Sequence, residues 1–357
     1  MLKRILTVIG ARPQFIKCAP VSKVIRKYFK EVLVHTGQHY DHEMSRAFFE
    51  ELNIPKPDFD LGIGSDSHSA QTAKMLIALE KVVEKIKPDL MMVYGDTNST
   101  LAGSLVASKL MIPLAHVEAG LRSYNRNMPE EINRICSDRI SDILFCPTRT
   151  AKENLENEGI KKNVYMVGDV MKDLILHTVR SKNFKKRILE NTLFNKGLFC
   201  YLTIHRQENT DDVVRFKKIF SLIGNIKYKV IFPMHPRTRK QIHKNKIKMP
   251  DNVRITKPVS YYESLAFQMK AEFIITDSGG IQKEAYILGT PCITIRDETE
   301  WTETLKNGFN KLVGIDAKKF MLAVDSCLTL ELKPNDNLFG HGDASEKITK
   351  VIKKYLC

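Results

Sequence analysis

The sequence predicts an α/β protein made of two Rossmann-like, doubly wound domains that face each other across a cleft. Three observations support this fold class. Short β-rich runs alternate with helical patterns through most of the chain, and several runs, such as Leu90–Tyr94, are almost wholly apolar. Such strands are typical of a parallel sheet that helices cover on both faces. The length of 357 residues also corresponds to about two domains of roughly 150 residues each.

The elements of the first half follow from apolar spacing and from residues that end helices. Before Pro88, for example, Leu76, Leu79, Val82 and Val83 recur at helical spacing, and the proline ends the helix. The predicted strands are Ile5–Gly10, Val32–Thr36, Leu90–Tyr94, Pro113–Val117, Ile143–Cys146 and Val164–Gly168. The predicted helices are Phe15–Phe29, Glu43–Leu52, Ala70–Ile86, Thr100–Leu110, Glu130–Ser141 and Thr150–Glu158.

The alternation pauses in a lysine-rich stretch at 181–197, which we interpret as connecting or peripheral structure near a domain junction. The later predicted strands are Phe199–Ile204, Val230–Met234, Val253–Ile255, Phe273–Thr276 and Cys292–Ile295, and the last predicted helix is Ala344–Tyr355. We therefore place the first domain at 1–168 and the second at 169–343. The helix at 344–357 is expected to pack back on the first domain.

Composition and cysteine usage exclude several classes of protein. Hydrophobic residues make up 43% of the chain and charged residues 27%, which excludes a mainly disordered or fibrous protein. No apolar run approaches the roughly 20 residues of a membrane span, and the first run, Ile5–Ile9, is shorter than a signal-peptide core. The seven cysteines are scattered without a C-x-x-C pair, so we expect a cytoplasmic protein with neither a disulfide framework nor a zinc site.

The charge balance favours an anionic partner. Lysine and arginine outnumber aspartate and glutamate by 56 to 41, which gives a formal net charge of +15. Nucleic acids and phosphorylated small molecules both fit such a charge. The basic segments 182–187 and 237–248 lack a nucleic-acid motif and an aromatic stacking platform. We therefore expect a phosphorylated small molecule, and neither a nucleic acid nor a membrane.

Polar side chains cluster directly after the predicted strands, where ligands bind in doubly wound folds. Seven segments share this position: Gly10–Pro13, Thr36–His39, Tyr94–Thr97, His116–Gly120, Ile204–Arg206, Met234–Arg237 and Thr276–Gly280. Any one of them is compatible with an ordinary turn. Seven such segments at strand ends indicate a ligand site in the predicted cleft.

The segment Asp277–Glu284 has the composition of a phosphate site. Its two glycines let the backbone approach a ligand closely, and the free N–H groups and dipole at a helix start favour a phosphate. Glu284, about one turn into the helix, could accept hydrogen bonds from ribose hydroxyls. An ordinary N-capped turn explains this segment equally well when it is taken alone.

Two histidines at strand ends add candidate phosphate ligands. His205 and His235 could bind a phosphate or donate a proton to it, and Arg206 adds a second donor beside His205. The chain contains neither the P-loop motif nor a G-x-G-x-x-G after its first strand. A P-loop ATPase and a tightly bound NAD are therefore disfavoured.

Carboxylates form the second group of candidates. Asp96 and Glu118 each end an apolar strand, where a carboxylate needs partners. Paired carboxylates that face one site suit proton transfer on opposite faces of a carbon. Glu130 and Glu131 open a predicted helix, where acidic side chains are equally well explained by the helix dipole.

Together these motifs resemble the non-hydrolysing UDP-N-acetylglucosamine 2-epimerase family over nearly the whole chain. The motifs that carry the resemblance are Gly10-x-Arg12-Pro13 with Lys17, Gly95–Thr97, His116–Arg122, Pro129–Arg134, His205-Arg206-x-Glu208 and Asp277–Glu284. The resemblance implies a glycosyltransferase-B-like pair of domains, with UDP held mainly by the second. It also implies interconversion of UDP-GlcNAc and UDP-ManNAc for cell-surface polysaccharide precursors, by anti elimination of UDP to a 2-acetamidoglucal and re-addition.

The resemblance further implies roles for individual residues. The implied catalytic residues are Asp96, Glu118 and Glu130 as acid and base, with Lys17 and His205. The implied contacts to UDP are Arg12, His205, His235, Ser278, Gly279, Gly280 and Glu284. A regulatory site for UDP-GlcNAc is suggested at Gln38, Gln71, Arg206 and His235. The resemblance implies no metal, no nicotinamide or other cofactor, and a homodimer.

Departures from the family pattern keep a second substrate open. Ala11 and Gln14 alter the common opening, and Trp301 replaces the arginine of a Thr-Glu-Arg-Pro segment. With the segment 54–58, these residues look more like the branch that acts on UDP-2,3-diacetamido-2,3-dideoxyglucuronate. Gln14 in place of glutamate would remove repulsion from a substrate carboxylate if it lies near it. The absence of an arginine at Trp301 has the opposite implication, because it removes a positive charge that would favour a substrate carboxylate.

Two further activities are compatible with this architecture. A glycosyltransferase of the same two-domain fold would transfer the sugar to an acceptor, and a hydrolysing epimerase would release UDP and the free sugar. Because a transferase needs no base at C2, the carboxylates Asp96, Glu118 and Glu130 favour epimerisation. The intact set of motifs favours the non-hydrolysing type.

Overall fold

A computed structural model describes residues 2–38, 49–190, 198–306, 308–329, 334–335 and 337–356. The chain divides into two compact units, the first comprising Met1–His177 with Asp336–Cys357 and the second Thr178–Asn335. These bounds differ from the sequence-based ones at 168 and 343. One reason is that the chain after Gly168 is still tied to the first unit, where the Asp169 N–H donates to the Phe339 carbonyl at 3.0 Å.

Strands and helices alternate along the chain. The strands are β1 (Arg4–Ile9), β2 (Lys30–His35), β3 (Phe59–Asp60), β4 (Leu90–Tyr94), β5 (Leu114–Val117), β6 (Ile143–Cys146), β7 (Val164–Met166), β8 (Phe199–Thr203), β9 (Lys229–Pro233), β10 (Val253–Thr256), β11 (Ile274–Thr276), β12 (Cys292–Thr294) and β13 (Asn310–Leu312). The helices are α1 (Arg12–Ile25), α2 (His68–Ile86), α3 (Asn98–Lys109), α4 (Pro129–Ile140), α5 (Arg149–Asn157), α6 (Val170–Arg180), α7 (Lys182–Glu190), α8 (Gln207–Thr210), α9 (Val213–Gly224), α10 (Pro236–Lys244), α11 (Tyr261–Lys270), α12 (Gly279–Leu288), α13 (Ala317–Thr329) and α14 (Ala344–Leu356). None of the helices in the described ranges has the length and apolar composition needed to cross a bilayer.

The first unit is built on a parallel seven-stranded sheet in the order β3-β2-β1-β4-β5-β6-β7. On one face, Val8 of β1 and Val93 of β4 pack with Leu79 of α2 and Val106 of α3. Helix α1 contacts β1 and β4, and α14 packs against α1. The strand order reverses between β1 and β4, and in doubly wound sheets ligands bind beyond the strand ends at such a point.

The second unit is built on a parallel six-stranded sheet in the order β10-β9-β8-β11-β12-β13. Phe216 of α9 and Phe320 of α13 pack with Leu202 of β8 in one core. Phe267 of α11 and Ala285 of α12 belong to a separate core. The prediction of two doubly wound α/β domains is confirmed, and in this unit the strand order reverses between β8 and β11.

The sequence assigned no element to β3, β13, α6, α7 or α13. The two strands span only two and three residues, too few for a periodic signal. Helix α7 lies in the lysine-rich stretch, where a buried aromatic ring supports it: Phe184 packs edge-on against Tyr262, with ring centres 6.2 Å apart. Of the predicted helix Glu43–Leu52, residues 49–51 are helical and 43–48 lie outside the described residues, as does His39.

Candidate active site

Lys17 and Glu118 meet at the carboxyl edge of the first sheet. Lys17 extends from α1, and its Nζ forms an ion pair with Oε1 of Glu118, the residue after β5. The two side chains are only 7% and 5% exposed. Gly95, directly after β4, makes room for the ammonium, because a Cβ there would lie 2.7 Å from Nζ. The left-handed φ of +64° at Gly95 also favours glycine.

Glu118 has a backbone conformation that residues other than glycine rarely adopt. Its φ is +72°, in a region that costs about 1–3 kcal/mol for such a residue. The N–H groups of Glu118 and Ala119 both donate to the Phe145 carbonyl, at 3.1 and 3.0 Å. Those two bonds hold the strained turn, and strain of this kind is concentrated at functional sites.

Asp96 follows the neighbouring strand. Because β4 pairs with β5, the Gly95 N–H donates to the Val117 carbonyl at 2.9 Å, and the carboxylates of Asp96 and Glu118 come from adjacent strand ends. Arg134 of α4 donates to Asp96 Oδ2 from Nη2 at 2.7 Å and from Nε at 3.1 Å. The Asp96 side chain is 25% exposed, so solvent reaches it while the guanidinium fixes its orientation.

The structure distinguishes the two glutamates that open α4. Glu131 is buried and accepts hydrogen bonds from the backbone of Ser123 and Tyr124, both at 2.9 Å, and from Arg134 Nη1 at 2.7 Å. Burial by itself raises the pKa of Glu131, but these hydrogen bonds outweigh it and hold the pKa below its usual value. Glu130 is half-buried and, among the described residues, its carboxylate makes no hydrogen bond or ion pair. Glu131 therefore anchors the preceding loop, and Glu130 has its carboxylate available.

Gln14 is committed to the fold. It is fully buried, and its Oε1 accepts the N–H groups of Gly10 and Ala11 at 2.8 and 3.1 Å. Its Nε2 donates to the Tyr94 carbonyl at 3.0 Å and to Thr100 Oγ1 at 3.1 Å. The amide therefore uses all its hydrogen-bonding capacity inside the protein. The expectation that Gln14 relieves repulsion from a substrate carboxylate is not supported, since this side chain faces no ligand space.

Gln38 and Gln71 both contact the start of α3. Gln38 Oε1 accepts from the Ser99 N–H at 3.0 Å and from Ser99 Oγ at 2.7 Å. Gln71 Oε1 accepts from Asn98 Nδ2 at 2.9 Å, and its Nε2 donates to the Gly64 carbonyl at 3.0 Å. These contacts tie β2 and α2 to α3. The other residues suggested for a regulatory site belong to the second unit, so that site stays a prediction.

In the second unit, Asp277 organises the loop that carries His205. The Asp277 carboxylate is buried and accepts the backbone N–H groups of His205 and Arg206 at 3.1 and 3.0 Å and Nδ2 of Asn209 at 3.2 Å. The rings of His205 and His235 are both exposed, with centres 6.2 Å apart. The sequence indicated Asp277 only as the start of a phosphate segment, because its three partners lie far away in the chain.

The start of α12 offers free backbone next to an open glycine. Ser278 is the N-cap, and its Oγ accepts from the Ile281 N–H at 3.5 Å. A Cβ at Gly279 would lie 2.1 Å from Glu300 Oε1, so glycine here lets the Glu300 carboxylate approach the helix start. At Gly280 the nearest atom to such a Cβ is Ser278 Oγ, 3.8 Å away. Among the described residues, no contact requires Gly280 to be a glycine, which is the pattern expected where a ligand approaches the backbone.

Two other predicted UDP contacts occupy different surroundings. Glu284 lies one turn into α12, is buried, and accepts from Gln268 Nε2 at 2.6 Å. Gln268 thus orients the carboxylate that was predicted to meet a ribose. Arg12 begins α1 in the first unit, and its side chain is partly exposed.

A cation–π contact that the sequence did not reveal lies beside Gly279. The Lys283 ammonium is 4.2 Å from the centre of the Trp301 ring, and both side chains are buried. Glu300, the preceding residue, accepts from Arg296 Nη1 at 2.8 Å. A lysine one turn into a helix and an aromatic residue in a later loop have no recognisable spacing, so only the fold brings them together.

Each unit thus presents a distinct set of functional groups. The edge of the first sheet carries three carboxylates and a buried ammonium, which suit proton transfer. The start of α12 in the second unit offers backbone donors, a helix dipole and two nearby histidines, which suit a phosphate. Within the described ranges, no three His, Cys, Asp or Glu side chains are grouped as metal ligands.

Comparisons with known proteins indicate the family to which the chain belongs. A family model described as UDP-N-acetylglucosamine 2-epimerase matches residues 23–353. The chain is 46% identical over 360 residues to the UDP-2,3-diacetamido-2,3-dideoxy-D-glucuronate 2-epimerase of Pseudomonas aeruginosa. This alignment covers 98% of the present chain and 99% of the relative. The structure of the present chain is similar to the crystal structure of UDP-GlcNAc 2-epimerase from Methanocaldococcus jannaschii in complex with UDP-GlcNAc and UDP. The TM-score is 0.89, the identity is 43%, and 99% of both chains is covered.

A more distant likeness concerns the fold alone. A calicheamicin glycosyltransferase that is 12% identical matches with a TM-score of 0.58 over 99% of this chain and 98% of that one. It supports the predicted glycosyltransferase-B-like class. The family model and the Pseudomonas relative each cover nearly the whole chain. The motifs from Gly10 to Glu284 and these matches agree, and the chain belongs to the UDP-N-acetylglucosamine 2-epimerase family.

Proposed function

We propose that this protein is a non-hydrolysing UDP-GlcNAc 2-epimerase that interconverts UDP-GlcNAc and UDP-ManNAc. The observation that carries the proposal is the set of carboxylates at one edge of the first sheet. Asp96 and Glu118 follow adjacent strands, and Glu118 is paired with Lys17. Inversion at C2 removes a proton from one face of the carbon and returns one to the other, which requires two proton-transfer groups.

The reaction proceeds by elimination and re-addition. The C2–H bond is not acidic, so its electron pair forms the C1–C2 double bond only as the C1–O bond breaks and its electron pair leaves with UDP. The products of this anti elimination are a 2-acetamidoglucal, UDP and a protonated base. Re-addition of UDP with protonation at the other face of C2 completes the epimerisation without net consumption of any reactant.

The first unit supplies the acid and the base. The buried ammonium of Lys17 pairs with the Glu118 carboxylate and holds it in place at the sheet edge. Glu130 has no hydrogen bond or ion pair to the described residues, so its carboxyl group can take or give a proton. Asp96 completes the group and is held by Arg134 at 2.7 Å.

The second unit binds UDP. The backbone N–H groups of Gly279 and Gly280 and the dipole of α12 stabilise the charge that develops on the leaving pyrophosphate. The Ser278 N–H is already used, since it donates to Thr276 Oγ1 at 3.0 Å, so Ser278 contributes through its hydroxyl. His205 and His235 lie on the exposed side of the same sheet edge and add proton donors. Glu284, oriented by Gln268, accepts from the ribose hydroxyls. Arg12, which begins α1 in the first unit, is also proposed to contact the nucleotide.

A second candidate substrate is UDP-2,3-diacetamido-2,3-dideoxyglucuronate. The Pseudomonas relative named for this sugar is 46% identical over nearly the whole chain. The chemistry at C2 is the same for both sugars, so the proposed roles of the carboxylates do not change. The two substrates differ at C3 and C6 of the sugar, and activity must distinguish them.

The test is proton NMR of the purified protein with UDP-GlcNAc in deuterated water. Deuterium at C2 together with a new UDP-ManNAc anomeric signal is the expected result. If a folded protein leaves UDP-GlcNAc unchanged but exchanges the diacetamido-uronate, the second candidate replaces the first. Accumulation of UDP and free sugar would indicate a hydrolysing enzyme, and transfer only when an acceptor is added would indicate a glycosyltransferase.

We also infer a cytoplasmic homodimer that supplies precursors for a cell-surface polysaccharide. The family resemblance and the availability of nucleotide sugars in the cytoplasm support this setting. Light scattering on the full chain measures the oligomeric state directly, and a mass of one chain would refute the dimer.

A further inference from the structure

His116 lies in a buried hydrogen-bond network behind the candidate carboxylates. It belongs to β5 and is fully buried. Nε2 lies 2.7 Å from the carbonyl oxygen of Gly95, and Nδ1 lies 2.7 Å from Oδ1 of Asp138 in α4. The proposed reaction uses neither His116 nor Asp138. Because burying such polar groups is costly, their presence here indicates a separate role.

The partners of His116 determine its protonation. A carbonyl oxygen only accepts hydrogen bonds, so Nε2 carries a proton. Asp138 Oδ2 accepts from Arg122 Nη1 at 2.7 Å and from the Gly120 N–H at 3.1 Å. Burial by itself raises the pKa of Asp138, but the hydrogen bond and charge of His116 and the charge of Arg122 outweigh it and lower the pKa. Asp138 is therefore a carboxylate, with Oδ1 held against Nδ1 of His116, while Nε2 of His116 donates to the Gly95 carbonyl.

The network is closed by a second ion pair. Arg122 donates to Glu158 from Nε at 2.6 Å and from Nη2 at 2.7 Å. The buried guanidinium of Arg122 thus bridges the buried carboxylate of Asp138 and the exposed carboxylate of Glu158. Buried charges persist in a fold when they are paired and hydrogen-bonded in this way.

The two oxygens of Asp138 connect two different turns. Through His116, Oδ1 holds the carbonyl of Gly95, the residue before Asp96. Oδ2 holds the N–H of Gly120, two residues after Glu118. A Cβ at Gly120 would lie 2.1 Å from the Ala151 carbonyl oxygen, so this turn has little room to move. One carboxylate therefore links the turn of the first candidate acid/base residue to the turn of the second.

We propose that Asp138 and His116 are positioning residues that fix the separation of Asp96 and Glu118 by holding both turns on one buried, hydrogen-bonded carboxylate. This inference rests on the proposed function, in which the two carboxylates serve one carbon atom. A displacement of about 1 Å in such an arrangement can cost about 100-fold in rate. Neither positioning residue needs to touch the substrate.

Two amide variants separate the two contacts of His116. In His116→Gln the amide nitrogen takes the place of Nε2 and keeps a donor for Gly95. In His116→Asn it takes the place of Nδ1 and keeps only the donor for Asp138. We expect kcat for epimerisation to fall about 10-fold in His116→Gln and about 100-fold in His116→Asn. The affinity for UDP should be unchanged in both.

Asp142→Asn is the matched control. Asp142 Oδ2 accepts the N–H of Leu114 at the opposite end of β5, at 2.8 Å. Like the His116 variants, Asp142→Asn places an amide where a side chain hydrogen-bonds near β5. It should keep the wild-type kcat. If both His116 variants instead lose activity equally, in step with their melting temperatures, His116 only stabilises the fold and the proposal is overturned.

NMR provides a test that does not depend on activity. With labelled histidine, the Nε2–H of His116 should show a coupling across its hydrogen bond to the Gly95 carbonyl in the wild-type protein. In Asp138→Asn, the amide signals of Gly95 and Gly120 should shift together. Absence of that coupling, or a shift at only one glycine, overturns the proposal. Failure of the proposed function is distinct, because the wild-type protein would then exchange deuterium into neither sugar nucleotide.

Discussion

Lys17 and Glu118 form an almost wholly buried ion pair although they lie 101 positions apart in the chain. The pair exists because α1 follows β1 and Glu118 follows β5, so the fold brings both to one edge of the sheet. Removing one partner of a buried pair leaves an uncompensated charge, which typically costs about 3–5 kcal/mol.

Lys17→Met should lose most C2 deuterium exchange, by about 100-fold or more, because the Glu118 carboxylate loses the ammonium that holds it in position. The free energy of unfolding should also fall, since the buried Glu118 carboxylate loses its ammonium partner. The exchange rate is followed by proton NMR. Lys23→Met is the control on the same helix: Lys23 contacts His177 at 3.2 Å on the exposed side of the first unit, and exchange should be retained. Full exchange in Lys17→Met would remove Lys17 from the catalytic group.

Asp96→Asn should abolish C2 exchange while UDP binding is kept. The amide preserves the shape of the carboxylate and still accepts from Arg134, but it cannot take up a proton, so the expected loss is about 100- to 10,000-fold. Calorimetric titration with UDP provides the second measurement. The surface variant Asp66→Asn, which breaks an exposed pair with Lys74 at 2.7 Å, should behave as wild type in both. Retained exchange would exclude Asp96 as acid or base.

Gly279→Ala should affect the stability of the fold, whereas Gly280→Ala should affect the binding of UDP. Alanine at 279 would place its Cβ 2.1 Å from Glu300 Oε1, so stability should fall, by about 1–3 kcal/mol. Alanine at 280 has 3.8 Å to its nearest neighbour, so the fold should be unaffected. Its affinity for UDP should fall about tenfold, the equivalent of one lost hydrogen bond. An unchanged affinity for UDP in Gly280→Ala would move the nucleotide site away from α12.

Trp301 provides a spectroscopic probe of nucleotide binding. It is the one tryptophan in the sequence, and its ring lies 4.2 Å from the Lys283 ammonium near the start of α12. Binding of UDP next to this contact changes the charge around the indole, so tryptophan fluorescence should change in a saturable way. Trp301→Phe should lose the signal and about 1 kcal/mol of stability, because phenylalanine is the weaker cation–π partner. A constant emission at saturating UDP would contradict the proposed position of the nucleotide.

Glu131 should make stability depend on acidity. Its pKa is lowered in the folded protein, so its contribution to stability is complete above the unfolded value of about 4.3 and is lost as the pH falls through the folded pKa. Glu131→Gln should lower the free energy of unfolding at neutral pH, by about 1.5–3 kcal/mol. The variant should also show a flatter decline of melting temperature from about pH 6 to about pH 3 than the wild type does. Parallel curves for the two proteins would show that Glu131 does not contribute to the acid dependence.

The sequence by itself determined the fold class and the family. Apolar runs such as Leu90–Tyr94 and helical spacing such as that of Leu76–Ile86 are local signals, and a parallel sheet with helices on both faces follows from their alternation. The motifs at the strand ends were sufficient for the family because their residue types and order are specific. The carboxyl ends of neighbouring parallel strands meet at one edge, so Asp96 and Glu118 could be expected to lie near each other.

Only the tertiary structure decided the roles of residues that look alike in the sequence. Glu130 and Glu131 are neighbours of one type, yet the loop 121–128 folds onto Glu131 and occupies its oxygens. Gln14 was a candidate for substrate contact until its four hydrogen bonds placed it in the fold. The link from Gly95 through His116 to Asp138 joins two strand ends and a helix. Such contacts depend on which faces are buried after the sheet assembles. The linear sequence pattern does not specify that burial.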